Sequence, residues 1–133
     1  MSNLARAAAN DPEFSDPVIV LFIDGFSASV FSSFQYRDEI EEVIRTPQFM
    51  LKEYVESGVL SGDCDDIATF LAAILCVFGV PVRLRAIRYT AKQPEFEHVF
   101  VEAINEIGEW QILDPTVPPD TKMKYIESMV EPV

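Results

Sequence analysis

Cysteine is scarce, with only Cys64 and Cys76 in 133 residues. Two thiols cannot build the framework of a disulfide-stapled domain. If both lie on one helix they are twelve positions apart. That is about 18 Å along the axis, whereas a bridge needs Cα atoms within about 7 Å. Both thiols are therefore expected to be free, as suits a reducing compartment. There is no Cys-x-x-Cys, which removes dithiol redox chemistry. Histidine is scarcer still: His98 is the only one, and with the cysteines far apart it lacks zinc spacing. No loop has the glycine and terminal glutamate of a calcium site. No metal and no other cofactor is expected.

Positive charge is also short. Ten Lys and Arg face 22 Asp and Glu, a formal net charge of -12. Such a chain repels phosphates, so nucleic acid and anionic membrane surfaces are poor partners. The longest apolar run, PVIVLFIDGFSASVFSSF, carries Asp24, Gly25 and four serines. It reads as a buried helix rather than a membrane span, with Asp16 as N-cap and Pro17 at the first helical position. Ahead of it Arg6 is the only basic residue, and Asp11, Glu13 and Asp16 intervene. That is not a secretory signal, and a cytoplasmic location is expected.

What is present is an apolar chain, 49% hydrophobic, of a length that suits one domain with one core. Residues 1–57 read as helical. A short helix covers NLARAAA, the Pro17 helix follows, and RDEIEEVIR is a charged connector. Thr46 and Pro47 open another helix that Gly58 ends. Residues 58–118 form the core: a helix from Cys64 to about Phe78, stopped by Gly79 and Pro81, and then period-two segments. These are VRLRAIRY, EHVFVEAI and EWQILD, the last two joined by a turn at NEIG. A Pro-rich and then amphipathic tail fills 119–133. Helices first and strands second give an α+β domain with an antiparallel sheet.

The stretch SGDCDDIATFLAAILC sets a thiol among three carboxylates at a helix start. Asp63 suits the N-cap, and Asp65 and Asp66 in the first turn complement the helix dipole. That accounts for the aspartates. Cys64 shares a helical stripe with Ile67, Ala68, Leu71, Leu75 and Phe78, so it points inward. Most such cysteines are small buried hydrophobes. A helix N-terminus also lowers a thiol pKa and offers N–H groups to an oxyanion, which suits a nucleophile. His98 begins one strand and Asp114 ends the next. A hairpin with an odd loop pairs His98 with Asp114, Phe100 with Ile112 and Glu102 with Trp110. A one-residue slip would put His98 and Asp114 on opposite faces.

The order of these three motifs resembles the transglutaminase-like superfamily of papain-like cysteine enzymes. The residues that carry the likeness are Gly62 and Cys64; Gly79, Val80, Pro81, Val82 and Arg83; His98 to Glu102; and Trp110 with Asp114, Pro115 and Thr116. They cover roughly residues 58–118. GDCDD, DPTVP and YRDEIEEVIRTP are more narrowly similar to small transglutaminase-like proteins encoded in phages and prophages. The resemblance implies a papain/transglutaminase-like core with the Cys helix packed on a small antiparallel sheet. It also implies Cys64 as nucleophile, His98 as general base and Asp114 as orienting carboxylate. Phe100 stands where the family commonly has tryptophan. The backbone N–H of Cys64 would hold the oxyanion, with Gln35, Tyr36 or Gln48 as side-chain donor.

The expected activity is acyl transfer at an amide bond of a protein or peptide substrate. Hydrolysis is favoured over cross-linking because no further domain stands ready to bind an amine donor. The alternative is a catalytically silent structural or assembly component of a phage particle, in a bacterial host, that keeps the fold.

Overall fold

The computed structural model describes residues 1–22, 34–37, 45–89, 96–116 and 124–133. Two short helices open the chain, α1 (Ser2–Ala9) and α2 (Pro12–Phe22). The expected start of the second helix at Pro17 is wrong. Asp11–Pro12 is a second Asp-Pro pair five residues earlier, and it captures the helix start. Asp11 accepts the Glu13 N–H on its side chain at 3.0 Å and the Phe14 and Ser15 N–H groups on its carbonyl. Pro17 then lies inside the helix, without an N–H to donate. Phe14, Val18 and Phe22, four apart, form the buried stripe of α2. Of the rest of the expected helix only Phe34 is described, and it lies in a strand; residues 23–33 and most of the RDEIEEVIR connector lie outside the described residues.

Strand β1 (Phe34–Tyr36) pairs in parallel with β2 (Leu60–Gly62). Between them in sequence is α3 (Pro47–Ser57), begun and ended as the sequence predicts. Thr46 Oγ1 accepts the Phe49 N–H at 3.2 Å, and Gly58 adopts a left-handed φ of 75°. The central helix α4 (Cys64–Val77) is buried on every side from Asp66 to Leu75. The inward stripe is therefore right for Ile67, Ala68, Leu71 and Leu75, wrong for Phe78, which is exposed at the C-cap, and incomplete. Phe70, Ala72, Ala73 and Ile74 are covered too, since α1, α2 and α3 wrap the face away from the sheet. Helix α4 ends in a Schellman turn. The Val80 N–H reaches Leu75 O at 3.0 Å and the Gly79 N–H reaches Cys76 O at 3.1 Å.

The sheet has the order β5-β4-β3-β6 and is antiparallel throughout, built from β3 (Val82–Arg88), β4 (His98–Ile104), β5 (Trp110–Leu113) and β6 (Glu127–Pro132). Val82, Leu84, Val99, Val101 and Ala103 form one face and share the core with α4. The architecture is the α+β fold read from the sequence, with helices packed on a small antiparallel sheet. Strand β6 is an addition. The sequence pattern suggests only a Pro-rich and amphipathic tail, yet residues 127–132 add an edge strand along β3.

On the opposite face of the sheet, Glu102 Oε1 accepts from Arg83 Nε at 2.9 Å and Arg85 Nε at 2.7 Å. The Arg83 guanidinium lies 3.9 Å from the centre of the Trp110 ring. The alternating arginines of VRLRAIR thus have a packing role on that face.

Lengths place the ends of these elements. Fourteen helical residues span about 21 Å, and seven strand residues span a similar length. The chain runs down α4, turns at Gly79 and returns along β3. Ile87, near the end of β3, therefore comes back level with Cys64, and Ile87 pairs with His98.

Candidate active site

Cys64 is the first residue of α4 and is half-buried. Its position is fixed by a reciprocal capping box. Asp63 Oδ1 accepts the Asp66 N–H at 3.1 Å, and Asp66 Oδ2 accepts the Asp63 N–H at 3.2 Å. Asp66 is only 1% exposed, and its second oxygen is also used. Oδ1 accepts the Arg45 N–H at 2.9 Å. This buried carboxylate ties the approach to α3 to the turn that carries the thiol. Gly62 makes room for it, because a Cβ there would lie 2.8 Å from both Cβ and Oδ2 of Asp66. Asp66 is thus more than a first-turn charge; it binds a segment 21 residues away. Asp65 lies beside the sulfur, with Sγ to Oδ1 at 3.8 Å.

His98 and Asp114 are joined by a hydrogen bond of 2.6 Å between Nε2 and Oδ2. Both side chains are shielded, at 11% and 3% exposure. The expected face is right and the expected pairs are off by two. Glu102 pairs with Ile112 and Ile104 with Trp110, across the five-residue loop Asn105–Glu109. That loop is still odd, so His98 and Asp114 remain on one face, as diagonal rather than direct neighbours. A second correction concerns the core. Phe100 and Ile112 share the His98 face, but α4 packs on the other one, and Ile112 is exposed. The imidazole therefore meets the thiol at the end of the sheet, where β4 begins and α4 starts.

The electrostatics follow from these contacts. Burial alone would lower the His98 pKa. Hydrogen bonds with Asp114 and then Cys64, together with their charges, outweigh burial and raise it to about 9. Burial would raise Asp114, but hydrogen bonds from His98 and Thr116 outweigh that and hold its carboxyl below the usual 3.8. With Nε2 engaged by Asp114, Nδ1 is the nitrogen left for the sulfur.

The structure brings Cys64, His98 and Asp114 together. It also sets Gln35 and Tyr36 beside Ser61 and Gly62, on the strand that leads into Cys64. Gln48 is elsewhere, bonded to Asp11 at 3.3 Å. Cys76 is half-buried at the far end of α4.

Two neighbours have no role in the reading of the sequence, where Thr116 figures only as part of a motif and Tyr89 only as the end of a strand. Thr116 donates to Asp114 through both its N–H and its hydroxyl. Tyr89, just past β3, has its phenol pKa raised by burial and by the charges of Asp114, Cys64 and Glu97, which puts it at the rim of this site. Period-two counting from Ile87 could have found Tyr89, since it lies on the same face as His98. Among the described residues no three His, Cys, Asp or Glu side chains converge as a metal site, and no helix is long and apolar enough to cross a membrane.

Comparison with curated proteins gives no match. Among solved structures, that of a candidate cysteine protease from Cytophaga hutchinsonii is similar, with a TM-score of 0.55 at 20% identity. The likeness covers 77% of this chain but 38% of that one. At that identity it shows the fold, which is the α+β, papain/transglutaminase-like core. The sequence profile of the transglutaminase-like superfamily matches residues 24–115, more than half of the chain and the whole span from β1 to Asp114. The chain belongs to the transglutaminase-like superfamily.

Proposed function

We propose that the protein is a cysteine acyl-transfer enzyme that hydrolyses an amide bond in a protein or peptide. The observation that carries this reading is one imidazole hydrogen-bonded to a buried carboxylate and lying close enough to the thiol at a helix N-terminus for the two to interact. In the reactive form the Cys64 sulfur has given its proton to His98, whose raised pKa of about 9 favours the imidazolium. His98 thus acts first as the base that takes the thiol proton and then as the acid that delivers it to the leaving amine.

The thiolate attacks the carbonyl carbon and a C–S bond forms. The Cys64 N–H, which helix geometry leaves without an intrahelical acceptor, donates to the developing oxyanion. Gln35 and Tyr36, on the strand beside β2, are the candidate side-chain donors. His98 passes its proton to the nitrogen as the C–N bond breaks, and the amine leaves. Neutral His98 then takes a proton from water, and the hydroxide attacks the thioester. Acid is released, and thiolate and imidazolium are restored.

A primary amine in place of water would give cross-linking. The description of the Cytophaga hutchinsonii protein as a candidate protease favours water, by analogy. The test supplies peptide amides and glutamine-containing peptides, with and without a primary amine, and follows new termini and ammonia. Release that needs Cys64 and no amine supports hydrolysis. Turnover that requires the amine overturns the choice of acceptor. Equal release by Cys64→Ala overturns the reaction.

A second reading has its own observation. Ile19, Val20 and Leu21 on α2, and Phe49 and Val55 on α3, are exposed apolar side chains. Exposed apolar side chains on two helices suit an interaction protein that keeps the fold without the chemistry, for example an assembly component of a phage particle. An unreactive Cys64 at neutral pH would favour it.

A further inference from the structure

The Asp-Pro-Thr segment holds a device that the proposed reaction needs but does not name. Asp114 uses both carboxylate oxygens. Oδ2 faces His98 Nε2 at 2.6 Å. Oδ1 accepts the Thr116 N–H at 3.0 Å and the Thr116 hydroxyl at 2.6 Å. The first of these is an Asx turn, in which an aspartate bonds the N–H two residues on, with Pro115 fixing the chain between them. The second is short and strong, as suits a hydroxyl donating to a carboxylate.

A free aspartate rotates easily about its terminal torsion, which has no deep wells. Asp114 also lies beyond the last paired residue of β5, so the ladder does not hold it. Two donors on one oxygen remove that freedom and present the other oxygen to the imidazole.

We propose that Thr116 is the positioning residue of this site: its hydroxyl clamps Asp114 so that Oδ2 fixes the proton on Nε2 of His98 and leaves Nδ1 to the Cys64 sulfur. The proposal rests on the reading of Cys64, His98 and Asp114 as one reactive unit. Thr116 touches neither the sulfur nor any atom that reacts.

Because His98 is the only histidine, its titration can be read without assignment, from imidazole nitrogen and carbon shifts against pH in the full chain. Thr116→Val removes the hydroxyl and keeps the N–H and the shape. Released from the clamp, the carboxylate drifts off Nε2, and burial pulls the midpoint down. The expected fall from about 9 is about one unit or more, tenfold in the protonation constant, with loss of the Nε2–H tautomer bias. Thr116→Ser keeps the hydroxyl and should retain the wild-type midpoint. Thr116→Ala gives the same reading should valine not be accommodated. An unchanged or raised midpoint in the valine and alanine variants overturns the clamp. So does an equal fall in Thr116→Ser, which would assign the effect to the methyl group. Asp114→Asn, titrated in parallel, separates the two claims. A fall there without a fall in Thr116→Val overturns the clamp alone. No fall in either overturns the His98–Asp114 pair, and the proposed reaction with it.

Discussion

At the scale of single residues, the two thiols should behave differently. Cys64 opens α4 beside His98, the base that can take its proton; Cys76 lies near the other end of the helix, away from the one imidazole. Iodoacetamide at neutral pH should modify Cys64 first, as peptide mapping by mass spectrometry would show. Preferential labelling of Cys76 would reverse the assignment. Gly62→Ala should cost about 1–3 kcal/mol in chemical denaturation, because the added Cβ has no room beside the buried Asp66 carboxylate. An unchanged midpoint would mean that Asp66 moves freely. Single residues are also where the sequence is most and least informative. Cys64, His98 and Asp114 are legible because three separated motifs keep their order. Thr116 is legible only as part of a motif, since a hydroxyl two residues from an aspartate has no periodicity to betray it. The link from Asp66 to Arg45 spans 21 residues of sequence, and no local pattern encodes it.

At the scale of elements, α4 depends on the aspartates at its start. Asp63→Asn should be nearly neutral, since asparagine also caps, whereas Asp63→Ala should cost about 1 kcal/mol. Asp66→Ala should cost more, about 1–3 kcal/mol, because it leaves the partly buried N–H groups of Asp63 and Arg45 without that acceptor. Equal losses at the two positions, measured by urea unfolding, would reduce Asp66 to an ordinary cap. Boundaries set by local chemistry are legible: Thr46 and Gly58 around α3, and Asp63 and Gly79 around α4. Where two sites offer the same chemistry the pattern misleads, as at Asp11–Pro12 against Asp16–Pro17. Strands β1 and β2 are three residues each, too short to show a period. Strand β6 is an exposed edge in which apolar Met129 and Val130 are adjacent, and Tyr125 and Ile126 just before it are another adjacent pair, so alternation is lost. The hairpin shows how far pattern reaches. The parity of the loop decides whether His98 and Asp114 share a face, and its length decides the partner; the loop Asn105–Glu109 is one residue longer than NEIG.

At the scale of the whole molecule, the site couples stability to pH. The folded His98 pKa is raised from 6.5 to about 9, so its contribution is full below pH 6.5 and is lost as pH rises through 9. The folded Asp114 pKa lies below 3.8, so its contribution is full above that and is lost as pH falls through the lowered value. The two describe one shared interaction, complete between these limits. Thermal unfolding followed across pH should show wild type losing stability between pH 6.5 and 9 relative to Asp114→Asn; parallel curves would contradict a coupled pair. The central claim is that this pair drives a nucleophile at Cys64. The measurement that meets it most directly is intact-mass spectrometry of the protein after exposure to an activated acyl ester. The account predicts one acyl group, on Cys64, that forms and then disappears in water. It should be absent in Cys64→Ala and form more slowly by orders of magnitude in Asp114→Asn, up to about 10⁴-fold by analogy with the serine-protease carboxylate. Acylation spread over Cys76 and surface lysines, or an Asp114→Asn protein that acylates at the wild-type rate, would contradict it.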